Sequence, residues 1–191
     1  RPGAFTLGAA CGAVAAMGFY EWKKRSKVLK APLAKSQHPR FFLSGVMGGS
    51  RPKVDTLNDI EPQDYRAQLR RIILQQYPSA QVVDPLEIAK DMMAATPEHL
   101  HTDDATVRSI FTEVVRVAGE CDVVVSNLPE ASMGSACEIW EAKRLGRIVL
   151  TVSPLAGNWC IRSVSDRNFL DLPDFEKHFR EVLQELGDKT L

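Results

Sequence analysis

The chain has 191 residues, 45% of them hydrophobic, which is enough for one α/β domain with a short extension and too little for two full domains. Lys and Arg together number 24 and Asp and Glu number 24, a balance that offers no electrostatic case for nucleic acid as a partner. Cys11, Cys121, Cys137 and Cys160 form no CxxC or Cys/His spacing, so buried free thiols are expected rather than a zinc site or a disulfide scaffold.

The first element is the uncharged run "PGAFTLGAACGAVAAMGFY", close to the roughly 20 residues that a helix needs to cross the hydrocarbon core. Phe19, Tyr20 and Trp22 fall where an aromatic belt sits. Lys23, Lys24, Arg25, Lys27, Lys30, Lys35 and Arg40 then follow without an intervening acid, a basic flank that places the rest of the chain on the positively flanked side. Residues 1–22 are therefore expected to form a transmembrane or membrane-anchor helix, with contact to the membrane through residues 2–22, and residues 23–39 a basic linker. An organellar membrane, such as the mitochondrial one, is a candidate. A leftover targeting segment or a surface helix is the alternative for so Ala- and Gly-rich a stretch.

From residue 40 to 191 the pattern alternates as a parallel sheet requires. "RFFLSGV" reads as a strand, "PQDYRAQLRRIILQQY" as an amphipathic helix and "AQVVDP" as a second strand. In "DDATVRSIFTEVVRVAGEC", Val107, Ile110, Phe111, Val114, Val115 and Ala118 recur at helical spacing. The strand "DVVVSNL", the helix "SACEIWEAKRLG" closed by Gly146, the strand "RIVLTVS" and the helix "LPDFEKHFREVLQELG" complete the series. The fold class is thus α/β, a three-layer, mainly parallel sheet with helices on both faces, flavodoxin- or Rossmann-like, preceded by a single hydrophobic helix. His99 and His101, in a polar stretch without a matching ligand pair, read as solvated loop residues.

In such folds ligands bind at the carboxyl ends of the strands, so the loops there are the candidate site. "SGVMGGSRP" supplies Gly45, Gly48 and Gly49, whose missing Cβ lets backbone N–H groups approach an anion, with Ser50 and Arg51 as side-chain donors. It is neither GxGxxG nor a Walker A loop. Asp84 ends the second strand, either as a ligand contact or as a strand terminator and helix cap. In "SNLPEASMGSACEIWEAKRLG", Ser132 or Ser135 can cap a helix that carries a carboxylate, Glu138, in its first turns. Capping and the helix dipole alone also favour an acid there.

"FFLSGVMGGSR" and "CDVVVSNLPEASMGSACEIWEAKRLGRIVL" together resemble the nucleoside 2-deoxyribosyltransferase-like family, which includes the 2'-deoxynucleoside 5'-phosphate N-hydrolases. The resemblance runs from about Arg40 to Phe175, and its strongest element is Gly134 followed four positions later by Glu138. "DYR" at Asp64 to Arg66, the pair Asp103 and Asp104, and "NW" at Asn158 and Trp159 look like an uncharacterised bacterial branch of the same fold.

What the resemblance implies is a Glu138 nucleophile that attacks the anomeric carbon of a deoxyribose and displaces the base, chemistry that suits an oxocarbenium-like transition state. It implies that Gly48, Gly49, Ser50 and Arg51 hold a 5'-phosphate beside Ser132 and Gly134, and that Asn158 matches a phosphate contact supplied by a neighbouring subunit. A nucleoside or nucleoside 5'-monophosphate is the expected ligand, with no metal or organic cofactor and no nucleic acid, and a homodimer or larger membrane complex is the expected assembly. Phe41 stands where the hydrolases carry an assisting Tyr. The family's acid on the helix before "DVVV" falls on Val114, so either the adjacent Glu113 takes its place or the acid is lost, with Asp103 and Asp104 as other sources of a carboxylate. A tethered N-glycosidase or deoxyribosyltransferase and a catalytically silent accessory subunit of a membrane complex are the competing functional expectations.

Overall fold

The computed structural model describes residues 38–47, 64–94 and 104–188. The expected anchor helix, nearly all of the basic linker, the loop residues Gly48, Gly49, Ser50 and Arg51, and His99, His101 and Asp103 lie outside them. Among the described residues no helix is long and apolar enough to cross a membrane.

The elements run β1 (Arg40–Gly45), α1 (Asp64–Gln76), β2 (Gln81–Val83), α2 (Pro85–Ala94), α3 (Asp104–Glu120), β3 (Val123–Asn127), α4 (Met133–Arg144), β4 (Ile148–Val152), α5 (Trp159–Val164), β5 (Arg167–Phe169) and α6 (Leu172–Asp188). The strands form one five-stranded sheet in the order β2-β1-β3-β4-β5, and every neighbouring pair is parallel. This is the α/β architecture expected. Three elements exceed the expectation: α2 follows directly on β2, with Pro85 as its first residue, and α5 and β5 occupy the stretch between β4 and α6.

The strands are apolar on both sides because both faces are covered. Phe41, Leu43, Val123, Val125, Leu150 and Phe169 point to one face, where Leu69, Ile72 and Ile73 of α1 and Phe175, Phe179 and Leu183 of α6 cover them. Phe42, Val124 and Val149 point to the other, against Val114, Val117 and Ala118 of α3, Ile139 and Ala142 of α4, and Ile161 and Val164 of α5. Each such Val, Leu, Ile or Phe side chain removed from water contributes roughly 1.5–3 kcal/mol, and alternation along β1 splits its aromatic residues between the two cores. Phe41 packs against Tyr77 and Phe179, tilted to the first and edge-on to the second, at 5.8 and 6.0 Å between ring centroids, so a hydroxyl on this ring would be buried among apolar side chains. Of the thiols described, Cys121 is buried as expected, whereas Cys137 and Cys160 are exposed.

Candidate functional site

Strand order reverses between β1 and β3, which go on to neighbours on opposite sides, and such a switch point opens a crevice at the carboxyl ends of the strands. There the apolar runs of β1 and β3 turn polar, ending in Ser44-Gly45 and Ser126-Asn127. Ser44 and Ser126 lie side by side in the β1–β3 register, both fully buried. Ser126 Oγ donates to Ser44 Oγ at 3.0 Å, and Ser44 Oγ donates to Glu138 Oε2 at 2.5 Å.

Glu138 arrives there because α4 buries Ser135, Glu138, Ile139 and Ala142, a spacing of three, four and seven that forms one helical stripe. Ser132 starts the helix, its hydroxyl accepting from the backbone N–H of Ser135 at 3.4 Å, and Ser135 Oγ donates to the same oxygen at 3.1 Å. Of the two capping candidates, Ser132 is therefore the cap. Gly146, at φ 73°, adopts the left-handed conformation beyond the other end.

From the opposite side α1 contributes Tyr65 and Arg66. Arg66 is 3% exposed; its Nη1 donates to the Leu43 carbonyl at 2.8 Å and to Asp84 Oδ1 at 3.0 Å. Asp84 Oδ1 also accepts from Leu86 N at 2.9 Å, so this residue both starts α2 and partners a buried cation. Tyr65 Oη donates to the Val46 carbonyl at 3.3 Å, and its ring lies against the guanidinium. Burial pushes the Tyr65 phenol up to about 12, Arg66 opposing and Asp84 and Glu138 adding to the rise, so the hydroxyl stays protonated as a donor near neutrality.

Gly45 lies beneath that hydroxyl. A Cβ on it would come within 2.4 Å of Tyr65 Oη and 2.9 Å of the Asn127 carbonyl oxygen, and a backbone atom cannot swing aside. Gly45→Ala is expected to destabilise the fold by roughly 1–3 kcal/mol. Gly134 is the opposite case: nothing lies within 4 Å of an added Cβ. Gly134→Ala is expected to leave the melting temperature unchanged or slightly raised, since Ala is the better helix former. Thermal melts of the two variants side by side check both.

Burial raises the Glu138 carboxyl from its ordinary 4.5 to about 7, with the Ser44 hydrogen bond and the Arg66 charge lowering it and the Asp84 charge raising it. A folded carboxyl that holds its proton more tightly than the unfolded one stabilises the fold fully below pH 4.5, and that contribution is lost as pH rises through about 7. The amount is about 3 kcal/mol. Urea unfolding of the wild type and Glu138→Gln at pH 4.5 and 8 should show the wild type losing stability relative to the variant by that order; parallel stabilities would contradict the burial of an ionisable group.

The remaining expected site residues are differently placed. Glu113 is bound by Arg116 through both oxygens, at 2.6 and 2.8 Å, and that hydrogen bonding lowers its carboxyl. It lies with Asp104 and Arg108 along a cleft between α2 and α3, and no hydrogen bond or ion pair joins it to Glu138 among the described residues. Val114 is buried in the core. Asn158 caps α5, its side-chain oxygen accepting from Cys160 N at 2.8 Å. Sequence reasoning passed over Ser44, Ser126, Tyr65 and Arg66; the signal for the serines was a hydroxyl at the end of each apolar strand, "RFFLSG" and "VVVSN", and for the others the "DYR" run.

No family model matches the chain, and no curated protein matches it. Among solved structures it is similar to a 2-deoxyribosyltransferase from the psychrotolerant bacterium Bacillus psychrosaccharolyticus, with 16% identity and a TM-score of 0.51 over 75% of this chain and 95% of that one. A pilus assembly-related protein from Burkholderia pseudomallei has 11% identity and a TM-score of 0.47 over 80% and 92%. An oxidoreductase from Corynebacterium diphtheriae has 10% identity and a TM-score of 0.42 over 80% and 97%. At 16% identity the likeness to the 2-deoxyribosyltransferase is one of fold alone.

Proposed function

We propose that the domain carries out N-glycosidic chemistry on a nucleoside or nucleoside 5'-monophosphate, with Glu138 as the nucleophile. The observation that carries this reading is a buried carboxylate at the switch point, with its pKa pushed to about 7 and one oxygen already bound by Ser44. Titratable groups perturbed by burial beside charged partners are enriched at functional sites. The fold shared with a 2-deoxyribosyltransferase is in keeping with it.

In the step proposed, a Glu138 oxygen forms a bond to the anomeric carbon as the bond from that carbon to the base nitrogen breaks. The bonding pair leaves with the base, which takes a proton from solvent. Water then attacks the sugar ester, releasing the carboxylate and giving the free sugar, or a second base attacks and completes a transfer. The loop Gly48 to Arg51 would meet a 5'-phosphate, with Ser132 and Gly134 at the rim. Base release from a panel of nucleosides and 5'-monophosphates, with and without an acceptor base, tests the reading. No release by the folded full chain from any of them would overturn it.

A second reading, a catalytically silent subunit of a membrane complex tethered through residues 2–22, is favoured by Phe111, Met133, Trp140 and Trp159. These are 46%, 90%, 56% and 84% exposed, large apolar side chains on three consecutive helices that a partner would cover. Co-purification of the full chain with partners in detergent distinguishes the two.

A further inference from the structure

We infer that Ser126 and Ser44 act as a two-hydroxyl relay that fixes one oxygen of Glu138 and leaves the other to face the anomeric carbon, which makes Ser44 a positioning residue for the chemistry proposed above. The inference rests on that reading for its catalytic half and on geometry for the rest.

Three observations carry it. Ser44, Ser126 and Glu138 come from three elements, β1, β3 and α4, yet their polar atoms form one directional chain, 3.0 Å from the first hydroxyl to the second and 2.5 Å from the second to Oε2. Both hydroxyls are fully buried and Glu138 is 5% exposed, so water does not substitute for them. Among the described residues no hydrogen bond is made to Oε1, so the two oxygens are not equivalent. A carboxylate that can rotate presents either oxygen; one pinned through Oε2 has a single oxygen to offer and a fixed lone-pair direction.

The donor also selects a charge state. A hydroxyl donated to a carboxylate favours the ionised form, and the Ser44 bond indeed opposes the rise that burial imposes. Ser126 acts at one remove: by donating to Ser44 Oγ it directs the Ser44 proton towards Glu138 and strengthens that donation. The other charged groups bearing on Glu138 are Arg66, which lowers its carboxyl, and Asp84, which raises it.

The test has two arms. In the first, the Glu138 carboxyl is titrated in the full chain by carbon-13 NMR of labelled glutamate, with Glu138→Gln assigning the resonance. Ser44→Ala is expected to raise the midpoint by about one to two pH units, the worth of a hydrogen bond to a charged group. Ser126→Ala is expected to raise it less, and the double variant to match Ser44→Ala, because Ser126 acts only through Ser44. Ser126→Ala also keeps the test open should loss of the Ser44 hydroxyl prevent folding.

In the second arm the acid limb of base release against pH should move by the same amounts and in the same order, with a roughly tenfold lower rate at pH 7 for Ser44→Ala. An unmoved or lowered midpoint, or a larger shift from Ser126 than from Ser44, would overturn the relay. Shifted midpoints in a protein that releases no base would leave the relay standing and remove the N-glycosidic reading instead.

Discussion

Glu138→Gln is expected to lower base release on the order of 10³-fold or more, because an amide cannot form the sugar ester through which the proposed reaction passes. The substitution is nearly isosteric, and Ser44 can donate to the amide oxygen as it does to Oε2, so the fold should persist. The buried site should even tolerate the neutral side chain better than the charged one above about pH 7. Loss of turnover would thus appear in a protein of equal or greater stability. Stopped-flow or chromatographic measurement of free base, beside near-ultraviolet circular dichroism of the same sample, reads both quantities. Retained turnover in a well-folded variant would leave Glu138 as no more than a carboxylate of the helix start.

The largest effect on stability is expected from Asp84→Ala. The substitution removes the anion beside a guanidinium that is 3% exposed, and breaking a buried pair from one side costs about 3–5 kcal/mol. It also removes the acceptor for Leu86 N at the start of α2, a capping contribution of roughly 1 kcal/mol. Asp84→Asn removes the same charge but keeps an oxygen acceptor for Arg66 and for Leu86, so it should lose less by the worth of those hydrogen bonds. Because the Asp84 charge raises the Glu138 carboxyl, the Asn variant should also titrate Glu138 at lower pH. Urea denaturation of the two variants separates charge from capping, and equal losses would assign the whole effect to the missing anion.

Most of the architecture was legible because a parallel sheet covered on both faces leaves a strong signature: apolar strands alternating with helices whose inward stripe recurs every three to four residues. β5 was not, since three residues, "RNF", are too few for any period to show. α2 escaped because Asp84 and Pro85, which together start a helix, serve equally well as a turn. Glu138 stood out by its place in a strand, loop and helix unit. Its partners did not, because contacts from Ser44 span 94 positions to Glu138 and 82 to Ser126, and only the sheet order brings those residues together. Phe41 and Asn158, matched along the chain, lie in space within an aromatic core and at the start of a helix.

The separation between Ser44 and Glu138 also fixes an order of events during synthesis. β1 emerges early, carrying Phe41, Phe42 and Leu43, and β2 reaches one side of it first, but the strand on its other side and the helix that completes its polar end follow 82 and 94 positions later. At typical ribosomal rates that is a wait of about 5–20 seconds, during which an apolar edge has no permanent neighbour and is open to chaperones or to pairing with other chains. The crevice that would hold a substrate thus depends on long-range contacts, and it cannot form until both distant segments have emerged.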